Sequence, residues 1–182
     1  MMERKQALEL VREQVKNKNL IKHMLAVEAV MKRLAPRFGG DPETWALAGL
    51  LHDLDYDSTA DDFENHGRMT VKMLEGYDVS EEVKYAIKSH PGHFPRKSSM
   101  DKALYAADPI TGLIVAATLM HPSKKLVNVD PKFIKRRFNE KRFAAGANRD
   151  QIRSCEELGM PLDEFISESL KAMQAVSSDL GL

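Results

Sequence analysis

The stretch WALAGLLHDLDYD, Trp45 to Asp57, carries no polar side chain from Trp45 to Leu51 and then turns abruptly to His52 and Asp53. Asp41 supplies a helix cap just upstream, and Pro42 suits the first helical position. The apolar run therefore reads as a helix buried on nearly every side. His52 and Asp53 sit at its inner end. A lone carboxylate in such a place costs several kcal/mol or takes up a proton. Some positive charge must compensate it.

Outward from this helix, helical punctuation is dense, and no stretch alternates with the period of two that marks strands. Helices are expected over about 3–16, 19–38, 42–53, 64–75, 80–90 and 98–121, then in a basic segment opened by Asp130-Pro131, and over about 148–158 and 162–176. Gly39-Gly40 and Gly76 act as stops, and Pro109 is expected to bend the long apolar helix. HPGHFPRKSS, His90 to Ser99, reads as a loop. The reading is an all-α bundle forming one domain over 1–182. Its core covers about 18–120, and C-terminal helices over about 130–178 pack on it.

A chain of 182 residues suits one domain with a sizeable core. Lys plus Arg and Asp plus Glu number 27 each, so no overall field draws the chain to nucleic acid or an anionic membrane. Cys155 is the only cysteine, which rules out an intrachain disulfide and fits a reducing compartment. The N-terminus MMERKQALELVREQ lacks the apolar centre of a signal peptide. The longest apolar-rich run, 110–120, is too short to span a bilayer. A cytoplasmic protein with neither a membrane nor a nucleic-acid partner is expected.

The helix map places His23 within the second helix and His52-Asp53 at the end of the third. His66 begins the fourth, His90 ends the fifth and Asp108 lies inside the sixth. Five successive helices thus each contribute an imidazole or a carboxylate. Facing helices of a bundle can bring such groups to a metal ion. A cation would make an interior Asp53 tolerable and hold His52 neutral. Asp53 has two oxygens and could bridge two ions. His23, His52 and Asp108 would then complete one shell, and His66 and His90 the other. Each histidine taken alone also reads as an ordinary hydrogen-bonded residue, and Asp108, before Pro109, as a local cap. The joint set is harder to explain that way, because several buried polar groups need partners at once.

In this order the residues resemble the HD superfamily of metal-dependent phosphohydrolases. The resemblance runs from KHMLAVEAV through LAGLLHDLD and NHGRMTVKML to AIKSH and LYAADPITG, about residues 20–115. It implies an HD-domain helical bundle with a C-terminal helical extension. In that superfamily, members with two further histidines between His-Asp and the last Asp bind two ions, and His66 and His90 fill those places. The implied cofactor is a pair of divalent ions drawn from Fe, Mn, Zn, Ni, Co or Mg. HD-type bacterial diadenosine tetraphosphatases show a similar HG and YAAD neighbourhood, and FAAGANRD…LGMPLDEF is similar to a group of uncharacterised HD hydrolases. The cyclic-di-GMP enzymes carry a Lys shortly after His-Asp and a downstream Gly-Tyr-Pro, both absent here. The (p)ppGpp hydrolases carry long flanking domains for which this chain has no room.

The resemblance implies hydrolysis of a phosphate ester or anhydride in a small phosphorylated, nucleotide-like substrate. Two cations about 3.5–4 Å apart acidify a shared water and clamp the attacking and leaving oxygens. Asp53 is then a catalytic residue, with Asp55 either orienting a ligand or water beside it or closing the helix as a turn carboxylate. His93 is placed to protonate a leaving group or bind phosphate, or is a solvated loop histidine. Arg68, Arg96 and Lys97 are candidates for substrate phosphate and also ordinary surface charges. KFIKRRFNEKRF, with basic residues from Lys132 to Arg142, reads as an amphipathic helix with a solvated basic face. Two other enzyme readings share the ligand set: a diiron oxygenase, and a mononuclear nucleoside monophosphate phosphatase.

Overall fold

The computed structural model describes residues 1–182 and contains helices and turns but no strand. The chain is all-α. Helix α1 covers Arg4–Gln14 and α2 Lys18–Leu34, the latter capped by the Asn17 side chain. Pro36 lacks an N–H, so α2 tightens into a 3₁₀ turn over Ala35–Phe38 and ends at Gly39 in the left-handed region. Helix α3 spans Pro42–Leu51, with the Asp41 carboxylate accepting from the Thr44 N–H. Short helices α4 (Tyr56–Thr59) and α5 (Arg68–Met73) follow, then α6 (Glu81–Ser89), capped by Ser80. Helix α7 runs over Ser99–Met120 behind a reciprocal cap between Ser98 and Asp101. The C-terminal part holds α8 (Pro131–Asn139), α9 (Arg149–Arg153), α10 (Leu162–Ala175) and α11 (Ser177–Leu180).

Every residue from Trp45 to Leu51 is buried, as the apolar run requires. α3 lies chiefly against α2, with further contacts to α1, α6 and α7. The closest approach is at Gly49, where a Cβ would stand 2.8 Å from the backbone N of Glu28 and the backbone C and O of Val27. Backbone cannot yield there as a flexible side chain would. Gly49→Ala is therefore expected to lower stability by about 1–3 kcal/mol through overpacking. That loss outweighs the gain of up to about 1 kcal/mol in helix propensity. Urea denaturation followed by circular dichroism measures the change. A midpoint equal to or above that of the parent would show that the two helices can separate without cost.

The expected helix over 64–75 starts only at Arg68. His66 is extended (φ −58°, ψ 135°) and Gly67 has φ +76°, a conformation that favours glycine. His66 thus enters the site from the turn before α5, and not five but four helices carry or end in site residues. The predicted helix over 148–158 also divides, into α9 and a 3₁₀ turn at Ser154–Leu158.

Helix α7 is longer than the apolar run within it, and by length and composition alone it could cross a membrane. In the fold it is the central core helix, packed by α2, α6, α8, α9 and α10. It continues through Pro109. Proline offers no N–H to the Tyr105 carbonyl one turn back, and the Gln151 side chain of α9 donates to that carbonyl instead, at 2.9 Å. α9 is thereby held beside the Asp108-Pro109 step. Arg149 ties the preceding loop down, its guanidinium donating to the carbonyls of Phe138, Phe143, Ala144 and Ala147 among others. In α8, Ile134 and Phe138 are buried and the basic residues face outward.

Candidate metal centre

Five side chains separated by up to 85 positions in the sequence meet around Asp53. Its Oδ2 lies 3.6 Å from His23 Nε2 and 3.4 Å from His52 Nε2, and His23 Nε2 is also 3.1 Å from Asp108 Oδ1. Its Oδ1 lies 3.3 Å from His66 Nε2 and 3.5 Å from His90 Nε2. The two oxygens of one carboxylate thus face two separate groups of donors.

All four imidazoles present Nε2 inward because Nδ1 is engaged elsewhere. His52 Nδ1 donates to the Gly49 carbonyl at 2.8 Å and His90 Nδ1 to the Ile87 carbonyl at 2.6 Å. His66 Nδ1 donates to Asp55 Oδ1 at 2.7 Å. His23 Nδ1 donates to Thr111 Oγ1 at 3.0 Å, and that hydroxyl passes its own hydrogen to the Asp108 carbonyl. With the hydrogen on Nδ1, a neutral imidazole offers its lone pair at Nε2, the orientation metal-bound histidines adopt. His52 Nε2 is buried and has no hydrogen-bond partner in the protein. His66 Nε2 and His90 Nε2 face one another at 3.1 Å. A cation between the donors would satisfy both arrangements. The groups His23, His52, Asp108 and His52, Asp53, His90 each bring their ligand atoms close enough to share an ion.

The electrostatics point the same way. Burial opposes ionisation of Asp53, but His52, His66, His90 and His23 outweigh it and hold the carboxyl well below its usual range. Asp108 is likewise lowered, burial being overcome mainly by His23. Burial drives His52 down to about 4, leaving it neutral. His66 is pushed up to about 9, because Asp53 and Asp55 outweigh its desolvation. Asp108 and Asp53 likewise outweigh burial at His23 and raise it. Two anionic carboxylates thus draw positive charge into the site, as protons on His66 and His23 or, in their place, as a cation held by the lone pairs those protons leave.

Asp55 does not reach the cleft. It is fully buried, and its oxygens accept from His66 Nδ1, the Gly67 N–H and the Thr70 N–H at 2.7–2.9 Å. It orients His66 and closes the start of α5, so its link to the cleft runs through His66. The other substrate-binding expectations also move. Arg68 lies over the Phe94 ring, 5.1 Å from its centroid. Arg96 pairs with Glu157 at 2.8 Å and covers Tyr105. His93 Nε2 donates to the Phe63 carbonyl at 2.7 Å. None of the three lines the cleft beside the ligands, which encloses about 410 Å³. That wall instead includes Tyr56, Phe63, Gly146 and Gln151, none of which was singled out for the site from sequence. Thr111 was legible: three residues after Asp108, it lies on the same helical face. Gln151 follows the ligands by more than forty positions and carried no signal.

The family model for the HD domain matches residues 20–121, over half of the chain. The chain is an HD-domain protein. The HD domain places it in a superfamily of metal-dependent phosphohydrolases, whose members bind divalent ions through such His/Asp groups. Among curated proteins it is similar to Ribonuclease Y of Sulfurovum sp. (strain NBC37-1), 27% identical over 72% of this chain and 26% of the relative. It is 29% identical to Ribonuclease Y of Alkaliphilus metalliredigens (strain QYMF) over 72% of this chain and 28% of that protein. Ribonuclease Y of Desulfotalea psychrophila (strain LSv54 / DSM 12343) is 33% identical over 52% and 18%. The HD-domain protein spans less than a third of the length of these relatives.

Proposed function

We infer that the HD-domain protein hydrolyses a phosphate ester or anhydride in a small nucleotide-like substrate, using two divalent cations. The observation that carries this reading is the division of the donors between the two oxygens of Asp53. His23, His52 and Asp108 would hold one ion with Oδ2, and His66 and His90 the other with Oδ1. When bound, such ions supply an acidified water and a clamp on the phosphoryl oxygens.

The protein's own residues supply the rest. Asp53 stays anionic at the centre, where each of its two oxygens would be available to an ion. The Gly49 and Ile87 carbonyls, Asp55 and Thr111 lock the imidazoles in one tautomer, so no reorientation is needed when substrate arrives. No Lys or Arg lines the cleft. Beyond the histidines, the charge of a substrate phosphate would therefore find its partner in bound metals. That favours a reaction centred on one phosphoryl group over recognition of a long polyphosphate.

A second reading, cleavage of RNA phosphodiesters, takes its support from the relatives named Ribonuclease Y. Against it stands the equal count of acidic and basic residues, 27 of each. The test begins with elemental analysis of protein purified without chelator or nickel column. It continues with phosphate release from nucleoside monophosphates, cyclic nucleotides, dinucleotide polyphosphates and a short RNA, with oxygen uptake as a control. Two equivalents of metal and turnover of a small phosphate support the proposal. One equivalent points to the mononuclear phosphatase, oxygen uptake without phosphate release to the oxygenase, and turnover of RNA alone to the second reading.

A further inference from the structure

We propose that Tyr56 and Phe63 form an aromatic rim that stacks on the planar base of the substrate, so that the cleft selects nucleotides over sugar phosphates. The inference rests on the phosphohydrolase reading above and deepens it. Large hydrophobic side chains exposed to solvent are few in this protein. Tyr56 (46% exposed) and Phe63 (59% exposed) are the aromatic ones among them, and both line the cleft. Their ring centroids lie 5.4 Å and 5.9 Å from the imidazole of His66, itself in van der Waals reach of Asp53. A ring stacked on either would leave a phosphate one sugar away within reach of the Asp53 donors.

Both residues are held in place although their rings are exposed. Tyr56 begins α4, directly after the buried Asp55. Phe63 begins a 3₁₀ turn that the Asn65 side chain closes onto Asp62. Its carbonyl accepts from His93 Nε2 at 2.7 Å, and the His93 ring meets the Phe63 ring edge-on at 4.9 Å. His93, which the sequence suggests for phosphate, is a positioning residue for Phe63. An exposed ring fixed by its backbone is a stacking surface prepared in advance, and aromatic stacking accepts any nucleobase because every base has a π-face. With no Lys or Arg in the cleft, stacking is also the principal contact available to the part of the substrate that the metals do not hold.

The test compares adenosine, adenosine monophosphate and ribose 5-phosphate by isothermal titration against the protein with the metals it carries after purification. The parent should bind adenosine monophosphate at least about 10-fold more tightly than ribose 5-phosphate, and adenosine alone should bind measurably. Phe63→Ala and Tyr56→Ala should each reduce that preference several-fold and the double variant should remove it, with metal content by elemental analysis unchanged. His93→Ala should weaken the preference in part, and His93→Gln, which keeps a donor for the Phe63 carbonyl, should restore some of it. A parent that does not distinguish the two phosphates, or a double variant that keeps the full preference, overturns the proposal. Failure of the underlying reading looks different: adenosine binds through the rim, yet no phosphate compound is hydrolysed.

Discussion

Asp53→Ala will lose bound metal and hydrolytic activity together. Asp53 reaches both donor groups with its two oxygens, through Oδ2 to His23 and His52 and through Oδ1 to His66 and His90. Removing a partner that merely orients a metal ligand costs about 10–100-fold in affinity or activity. On the proposed two-ion reading, removing a carboxylate that would serve both groups exceeds the upper end of that range, so a loss of more than about 100-fold in each is expected. The change also leaves four imidazoles around a vacated carboxylate, with lone pairs facing inward. Thermal melts of Asp53→Ala and of the isosteric Asp53→Asn separate unfolding from loss of metal, since Asn fills the same volume without the charge. Elemental analysis of a variant that still melts cooperatively decides the matter. A fully metallated and active Asp53→Ala protein would sink the assignment of the site.

The centre of this arrangement was legible in the sequence, and the reasons are local. The helix Pro42–Leu51 announces itself by composition and by Asp41-Pro42. His52-Asp53 follows at a point where the buried face has nowhere to turn a charge outward. His23 sits within a helix that Gly39-Gly40 stops, and His90 and Asp108 sit on or at the ends of helices whose caps, Ser80 and Ser98, are equally local signals. His66 was placed correctly in order but not in conformation. Its turn depends on Gly67 at positive φ and on Asp55 reaching across to cap α5, and neither is visible until the chain has folded.

Nearness in sequence to a ligand proved a poor guide to facing the cleft. Arg68, Arg96 and His93 lie within six residues of His66 or His90, yet each turns to an aromatic ring, an acid or a carbonyl elsewhere. The residues that do wall the cleft come partly from the C-terminal segment. The reason is a backbone consequence of Pro109, the freed Tyr105 carbonyl that Gln151 satisfies. A proline within a helix predicts an unsatisfied carbonyl one turn back. Only the packed structure says which side chain arrives to meet it.

His66→Ala should reduce bound metal from two equivalents to one. The argument lies in the asymmetry of the donors. His66 contacts only Oδ1 of Asp53, and without it that oxygen keeps His90 as its sole imidazole neighbour, too few donors to hold an ion tightly. The Oδ2 group loses nothing, since His23, His52 and Asp108 come from α2, the end of α3 and α7, and none of them touches His66. Stability should suffer little: Asp55 loses the Nδ1 donor but keeps the Gly67 and Thr70 N–H groups, so its buried charge stays partnered. Asp55→Asn makes the complementary change. It leaves every proposed ligand in place but replaces the carboxylate that fixes the His66 tautomer, so it should weaken one ion by about 10–100-fold and spare the other. Titration of chelator against each variant, read by elemental analysis, resolves the two ions. Retention of both equivalents in His66→Ala would mean that His66 serves substrate or structure instead. Loss of both would mean that the two oxygens of Asp53 do not define separable sites, and that the pair binds only as a unit.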